Sequence, residues 1–269
     1  MKKTIFALFA LAGIAAGVSL DASLYTDAQK TSLKGAYNFS STDAINTSFF
    51  GSNLSGVENG ILTIGSGSAQ AYTKDCGIGA SPFTVSFDLL GLTPNSSADG
   101  VIISLYSNGN AEGANTALTL GVNTAGYIYL QNGDGGTTAN SESPYGNGRS
   151  PKFRETLTLN ASDISGQTMT IVADNNTNTL SLYVNGTSVY TNNEWKAGTN
   201  GTLALNGIQI GKYLVVDTNN ISEVKMDNLS VWSRALSADE VQGLITPEPG
   251  TTTLSLLALA GLAARRRRK

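Results

Sequence analysis

The sequence predicts one all-β domain, on three observations. The roughly 225 residues between the two ends of the chain are compatible with one large β-sandwich or barrel. Short runs of alternating apolar and polar residues recur along this stretch, separated by Gly, Asn, Asp and Ser. None of these runs has a helical apolar period of useful length. Alternate side chains of each run are therefore expected in a common core, with their neighbours in water.

The run FTVSFDLL shows the alternation most clearly. Phe83, Val85, Phe87 and Leu89 are separated by single polar residues, which predicts a half-buried strand. The same pattern predicts strands at VIISLYS from Val101, TALTLGV from Thr116, GYIYLQ from Gly126, TLTLN from Thr156, TMTIVAD from Thr168 and LSLYV from Leu180.

Two turns and a bulge follow from local sequence. Asn185-Gly186 favours the positive φ values of a type I′ turn, so 180–184 and 188–190 are expected to form a hairpin. With the turn at 174–178, residues 168–190 become a three-stranded meander. Near the end of the domain the apolar alternation changes phase, which predicts a bulge near Asp227-Asn228.

A short helix is expected after the last strand. Ser237 and Glu240 have the spacing of a capping box, and Val241 and Leu244 form one apolar stripe before Pro247 ends the domain.

Residues 1–19 have the layout of a secretory signal peptide. Two lysines precede an apolar run and then small residues, with cleavage expected after Gly17 or Ser19. The apolar run is shorter than the roughly 20 residues that span a bilayer, so a membrane anchor is the weaker alternative. This segment predicts export through the Sec machinery, and it leaves residues 20–246 as the mature domain.

Residues 247–269 end the chain with a helix break, an apolar stretch and a run of cations. The features are Pro247, Glu248, Pro249, then the apolar residues, then Arg265, Arg266, Arg267, Arg268 and Lys269. This order resembles the PEP-CTERM sorting signal of Gram-negative bacteria. The resemblance implies recognition by an exosortase-type enzyme, transient association with the inner membrane, and a final place at the cell surface or in the extracellular matrix. A nucleic-acid-binding tail and an amphipathic surface helix are the alternatives, but the apolar stretch has no polar face.

The amino-acid composition limits the catalytic groups and the ligands that the chain could use. The chain has no histidine, which excludes Ser-His-Asp and Cys-His catalysis and leaves carboxylates as the only candidate acids and bases. Residues 20–246 contain 10 basic and 19 acidic residues, so this domain is expected to repel nucleic acid. Cys76, the only cysteine, makes no intramolecular disulfide; it is expected as a small buried hydrophobe, with intermolecular pairing as the alternative.

Three segments are similar to the LamG or concanavalin-A-like jelly roll. They are KGAYNFS (34–40), TIVADNNTNTLSLYVNGTSVY (170–190) and KMDNLSVWSRALSADEV (225–241), and the likeness extends over residues 33–245. The resemblance implies an antiparallel jelly-roll sandwich whose two sheets, of about six or seven strands each, pack face to face. Function does not follow from such a likeness.

No enzymatic activity is predicted. Jelly-roll glycosidases resembling laminarinases carry a strand with closely spaced acidic residues, which this chain lacks. Glu223 and Asp227 are the nearest substitute, and a carboxylate-dependent hydrolase or lyase is the weakest alternative. Calcium is a candidate cofactor because related jelly rolls often hold one. The candidate ligands are Asp134, in a polar loop, and Asp227, where the family's closing segment has its acidic residue.

The leading hypothesis is a secreted, surface-sorted, non-catalytic module that binds glycan or a partner protein. Rings in Gly/Asn-rich segments could stack on sugars, and Tyr145, Trp195 and Tyr213 are the candidates. Trp232, inside the last predicted strand, is expected in the core. The alternative is a structural matrix or adhesion protein without a specific ligand site.

Overall fold

The structure, a computed structural model, describes residues 25–37, 39, 57–58, 61–65, 76–106, 116–133, 151–193, 205–211 and 223–245. Over these residues the chain is an antiparallel β-sandwich with short helices, which confirms the all-β prediction. The segments predicted as a signal peptide (1–19) and a sorting signal (247–269) lie outside the described residues. Within the described part, no helix has the length and apolar character needed to cross a membrane.

Thirteen strands and three helices occur in the described ranges. The strands are β1 Leu33–Tyr37, β2 Val57–Glu58, β3 Ile61–Gly65, β4 Phe83–Thr93, β5 Gly100–Tyr106, β6 Thr116–Val122, β7 Tyr127–Gly133, β8 Pro151–Asn160, β9 Gln167–Asp174, β10 Thr179–Val184, β11 Thr187–Asn192, β12 Gly207–Ile210 and β13 Glu223–Trp232. The helices are α1 Asp27–Ser32, α2 Ala161–Ile164 and α3 Ala238–Leu244.

The described strands form two sheets. Sheet I has eight strands in the order β11-β10-β9-β4-β13-β3-β2, with β1 also paired to β13. Sheet II has five, in the order β12-β5-β6-β7-β8. This division among the described strands differs from the expected six or seven in each sheet. The difference arises at β13, whose ten residues pair with β3 along the first half and with β1 along the second.

The main core lies between the two sheets. Its members are the apolar residues of each predicted alternation, such as Phe87 of β4, Leu120 of β6 and Val231 of β13, all fully buried. Each such side chain contributes about 1.5–3 kcal/mol when it leaves water. The period of two in the sequence therefore sets which side chains form this core.

The polar side of β4 is also buried, so the prediction of a half-buried strand was wrong. Thr84 and Ser86 are fully buried and Asp88 is 2% exposed. A second layer causes this burial, because Tyr25 and the segment after β13 pack on the outer face of sheet I. Trp232 lies within that layer with its ring 5.9 Å from the ring of Tyr25, which confirms its predicted place in the interior.

This cover layer, residues 25–32 and 233–245, joins the two ends of the described chain. The Ser233 N–H donates to the carbonyl of Ser32 at 2.9 Å, and Arg234 Nε donates to Ser32 Oγ at 3.1 Å. The Thr84 hydroxyl accepts from the Leu236 N–H at 3.0 Å and donates to the carbonyl of Arg234 at 2.9 Å. A polar residue of β4 therefore fixes the chain where it leaves the sheet.

The locally predicted features are confirmed. Asn185 and Gly186 have φ values of 47° and 73°, and β9, β10 and β11 form the meander. The ladder of β13 shifts after Asp227, with Asn228 at a φ of 50°. Helix α3 begins at a capping box in which Ser237 Oγ accepts from the Glu240 N–H. Helices α1 and α2 were not predicted, because six and four residues are too few to display a helical period.

Candidate functional site

Four of the predicted ligand-binding and metal residues lie outside the described residues. These are the aromatic candidates Tyr145, Trp195 and Tyr213, and the calcium candidate Asp134.

Some described residues that flank these segments lie at one end of sheet II, where Gly133 pairs with Pro151 and Gly207 pairs with Tyr106. Others lie in sheet I, where Asn192 ends β11 and Glu223 begins β13.

A continuous row of polar side chains crosses the outer face of sheet II. Successive pairs in the ladder are Gln209 with Ser104, Ser104 with Thr119, Thr119 with Gln131, and Gln131 with Arg154. The hydroxyls of Ser104 and Thr119 are 3.3 Å apart and hydrogen-bonded. The first four residues are at most 4% exposed. This row is therefore a polar layer that is buried on β12, β5, β6 and β7 and ends at the partly exposed Arg154 on β8.

An aromatic ring and an ion pair lie beside this row. The Tyr129 ring lies across Gly121, where a Cβ atom would be 2.3 Å from Tyr129 Cζ. The Tyr129 hydroxyl donates to the carbonyl of Gly100 at 3.2 Å. The Arg154 guanidinium stacks 4.0 Å from the ring centre and forms an ion pair with Asp99 at 2.5 Å. Tyr129 is fully buried and so belongs to the packing of the sheet.

Tyr127, on the same face two residues earlier, is 41% exposed. A tight turn fixes its backbone, because Asn123 Oδ1 accepts from the Tyr127 N–H at 2.9 Å and Gly126 has a φ of 86°. The same turn is tied to the ion pair, since the Thr124 N–H donates to Asp99 Oδ1 at 3.0 Å. The exposed ring is thus held on a hydrogen-bonded support.

Two exposed hydroxyls complete this surface. Thr156 lies opposite Tyr129 in the ladder, and Thr158 lies on the same side of β8; both are exposed. We call the surface formed by Asp99, Tyr127, Arg154, Thr156 and Thr158 the β7–β8 face. It combines an accessible ring with hydroxyl, carboxylate and guanidinium groups, the set that binds sugars in proteins.

The structure confirms the predicted strand GYIYLQ, whose outward side has no predicted role. Ile128 and Leu130 point into the core, so Tyr127, Tyr129 and Gln131 share the other face. Two tyrosines and an amide on the outward side of a strand, where water is expected, are the sequence feature that could have indicated a binding surface.

Asp227, the described calcium candidate, lies opposite Asp88 in the ladder of β4 and β13. Asp88 accepts hydrogen bonds on both carboxylate oxygens, from the Thr168 hydroxyl at 2.6 Å and from Asn228 Nδ2 at 2.7 Å. Asp227 Oδ1 accepts from the Asn228 N–H at 2.7 Å. The bulge that was predicted at this point therefore supplies donors to both acidic residues.

Burial is the main reason that the pKa of Asp227 is raised from 3.8 to about 6. The Asn228 N–H opposes this rise in pKa, and the negative charge of Asp88 adds to it. Calcium needs six to eight oxygen ligands. Protein donors already occupy the oxygens of Asp88, and the described residues contain no cluster of three or more acidic, Cys or His side chains. The role of Asp227 as a calcium ligand therefore stays a prediction.

Glu223 lies apart from this pair. Its carboxylate forms an ion pair with Lys225 at 3.2 Å, and its Cα is about 13 Å from that of Asp227 at roughly 3.3 Å per strand residue. Carboxylate-dependent glycosidases need their two groups within about 5–10 Å. Asp88 is close enough to Asp227 but is 2% exposed. The described geometry of these residues adds no support to the hydrolase alternative, which stays a prediction.

No known protein family matches the chain, and no curated protein matches it. Among solved structures, the botulinum neurotoxin serotype D binding domain aligns with 80% of this chain and 52% of its own, at 11% identity and a TM-score of 0.51. The binding domain of Paraclostridial Mosquitocidal Protein 1 aligns with 81% and 52%, at 14% identity and a TM-score of 0.47. Trypanosoma rangeli sialidase aligns with 69% and 27%, at 13% identity and a TM-score of 0.43.

The chain thus spans about half or less of the length of each of these proteins. The likeness to the serotype D binding domain supports the β-sandwich fold, and identity this low bears on the fold alone.

Proposed function

We propose that the chain is a non-catalytic, LamG-like β-sandwich module that binds glycan through the β7–β8 face. The observation that carries this proposal is the exposed Tyr127 ring on a hydrogen-bonded turn, with two threonine hydroxyls and an ion pair around it. The same proposal places the protein at the cell surface or in the extracellular matrix, after Sec export and exosortase-type processing of residues 247–269.

The physical support is the match between this surface and a sugar. The ring offers an apolar face for the C–H groups of a pyranose, while hydroxyl and carboxylate groups can bond its hydroxyls. The fixed turn lowers the conformational entropy lost on binding. The serotype D toxin domain of similar fold is a binding domain by name, which is compatible with such a role.

A structural matrix or adhesion protein is the second candidate. The buried polar row of sheet II favours it, because side chains that are at most 4% exposed act as internal packing rather than as a ligand surface. This alternative predicts self-association and no loss of glycan binding when Tyr127 is changed.

Glycan binding is tested with the full chain on an array of neutral and acidic oligosaccharides, followed by titration of the best ligand. Tyr127→Ala is expected to weaken binding about tenfold, which corresponds to about 1.4 kcal/mol. Val189→Ala is the matched control, because Val189 is 38% exposed and lies on β11 of sheet I. Wild-type affinity in the Tyr127 variant, or no binding to any array member, would contradict the proposed site.

The predicted address is tested separately by removing residues 247–269. The truncated protein is expected in the periplasm or medium and not at the cell surface, as measured by fractionation and immunoblotting. The same distribution for both forms would contradict surface sorting through this segment.

A further inference from the structure

We propose that Asp99 sets the ligand class of the β7–β8 face by neutralising Arg154, so that the face accepts uncharged, hydroxyl-rich glycans and rejects acidic ones. This inference rests on the proposed glycan-binding function. Beyond that function, it names Asp99 as a residue that determines specificity and uncharged glycans as the class of ligand.

The geometry makes Asp99 a fixed counter-charge. One carboxylate oxygen bonds Arg154 at 2.5 Å, and the other accepts from the Thr124 N–H at 3.0 Å. The two side chains are 18% and 23% exposed, so the pair lies at the edge of the surface that a ligand would touch. The guanidinium also lies over the Tyr129 ring, with Arg154 Cζ 4.0 Å from the ring centre. Asp99 is thus bonded on both sides and is not a mobile surface carboxylate.

Charge then decides which ligand can use this surface. Arg154 is the only cation among the described side chains of the β7–β8 face, and Asp99 cancels its charge. A uronate carboxylate that approached the guanidinium would come close to the negative charge of Asp99 and lie within a Debye length of the exposed Glu155. Residues 20–246 carry nine more acidic than basic residues, which adds to this repulsion.

A neutral glycan meets no such penalty. It can stack on Tyr127 and bond the hydroxyls of Thr156 and Thr158 without disturbing the ion pair. The Asp99 side chain is 18% exposed and can accept from sugar hydroxyls, whereas the carboxylate group of a uronate has no proton to donate to it.

The test replaces Asp99 by asparagine in the full chain. Asp99→Asn keeps the size of the side chain and an oxygen for the Thr124 N–H, while it removes the charge that neutralises Arg154. The probes are hexagalacturonate for the acidic class, and cellohexaose, maltohexaose and xylohexaose for the neutral class. Binding is titrated at 20 mM and 500 mM NaCl, and thermal unfolding verifies that each variant is folded.

The wild type is expected to bind a neutral probe at least tenfold more tightly than hexagalacturonate, with little dependence on salt. Asp99→Asn is expected to bind hexagalacturonate about tenfold more tightly than the wild type does at 20 mM NaCl, and to lose that gain at 500 mM. The double variant Asp99→Asn/Arg154→Gln is the matched control, because it is uncharged at both positions and is expected to lose the gain.

The outcomes separate this inference from the proposed function. If the wild type binds a neutral probe but Asp99→Asn gains no acidic binding, the role of Asp99 is wrong and the glycan site stands. If the wild type binds no neutral probe while Asp99→Asn gains hexagalacturonate, the neutral-glycan site is wrong and the charge effect of Asp99 stands. A wild type that binds hexagalacturonate as tightly as the neutral probes, or a gain that persists in the double variant, overturns the inference.

Discussion

The acidic pair Asp88 and Asp227 is expected to lower the stability of the folded protein above about pH 6. The two carboxyl groups face each other across β4 and β13, and Asp88 is almost fully buried. We expect Asp227→Asn to stabilise the protein at pH 8. The amide keeps an oxygen for the Asn228 N–H but removes a charge that is poorly hydrated and close to another of the same sign.

The magnitude follows from the rise in the pKa of Asp227 from 3.8 to about 6. At about 1.4 kcal/mol for each pH unit, this rise would correspond to about 3 kcal/mol for a fully buried group. Asp227 is only half-buried, so solvent screening reduces the expected gain in unfolding free energy to about 1–1.5 kcal/mol. For a domain of this size that is a rise in Tm of roughly 3–5 °C.

The direction of the pH dependence follows from proton binding. Because folding raises the pKa of Asp227, the folded protein holds this proton more tightly than the unfolded chain. The stability that this group contributes is complete below pH 3.8 and is lost as the pH rises through about 6. The wild type is therefore expected to lose stability over this window, and Asp227→Asn is expected to lose less. The absence of histidine removes the usual competing source of such a change.

Urea unfolding followed by circular dichroism between pH 4 and pH 8 measures this difference. Asp27→Asn is the control for removal of one negative charge, because the Asp27 side chain is fully exposed and its variant is expected to change stability little. A stability gap between wild type and Asp227→Asn that does not change with pH, or a variant less stable than wild type at pH 8, would refute the reasoning.

Three further substitutions test the packing around the sheets. Glu240→Gln removes the ion pair with Arg234, the contact that lowers the pKa of Glu240 to about 2. We expect the free energy of unfolding in urea to fall by about 1 kcal/mol at pH 7, and this difference from the wild type to disappear as the pH falls from 4.5 through about 2. Gly121→Ala forces the Tyr129 ring away from the sheet, with an expected loss of about 1–3 kcal/mol and weaker glycan binding. Gly186→Ala would place a side chain at a φ of 73° and a Cβ atom 2.9 Å from the Cα atom of Gln242 in α3. We expect calorimetry to show a fall in Tm of several degrees.

Features set by a few adjacent residues could be predicted from the sequence. The Asn185-Gly186 turn depends on the φ values that these two residues tolerate, and the capping box of α3 depends on Ser237 and its third neighbour. The alternation in β4 correctly gave the apolar side of that strand. In each case the chain segment itself contains the physical cause of the structure.

Features set by contacts between distant segments could not be predicted in this way. Thr84, Ser86 and Asp88 are polar, which is typical of a side that meets water, yet all three are buried beneath the cover layer. Their hydroxyl and carboxylate groups find partners across more than 70 residues of sequence, such as Met169, Thr170 and Thr168. A polar alternation therefore gives the direction of a side chain and does not give its exposure.

The two tyrosines of β7 show why the candidate site required the structure. Tyr127 and Tyr129 are two residues apart on one face of one strand, but the first is 41% exposed and the second is fully buried. Tyr129 pairs with Gly121, whose missing side chain leaves space for the ring, and Arg154 covers it. Tyr127 faces Asn160, at the start of α2. The residue paired with each tyrosine on the neighbouring strand therefore decides which ring a ligand can reach. This pairing depends on the bulge in the register of β7 and β8, which the alternation of apolar and polar residues in the sequence does not encode.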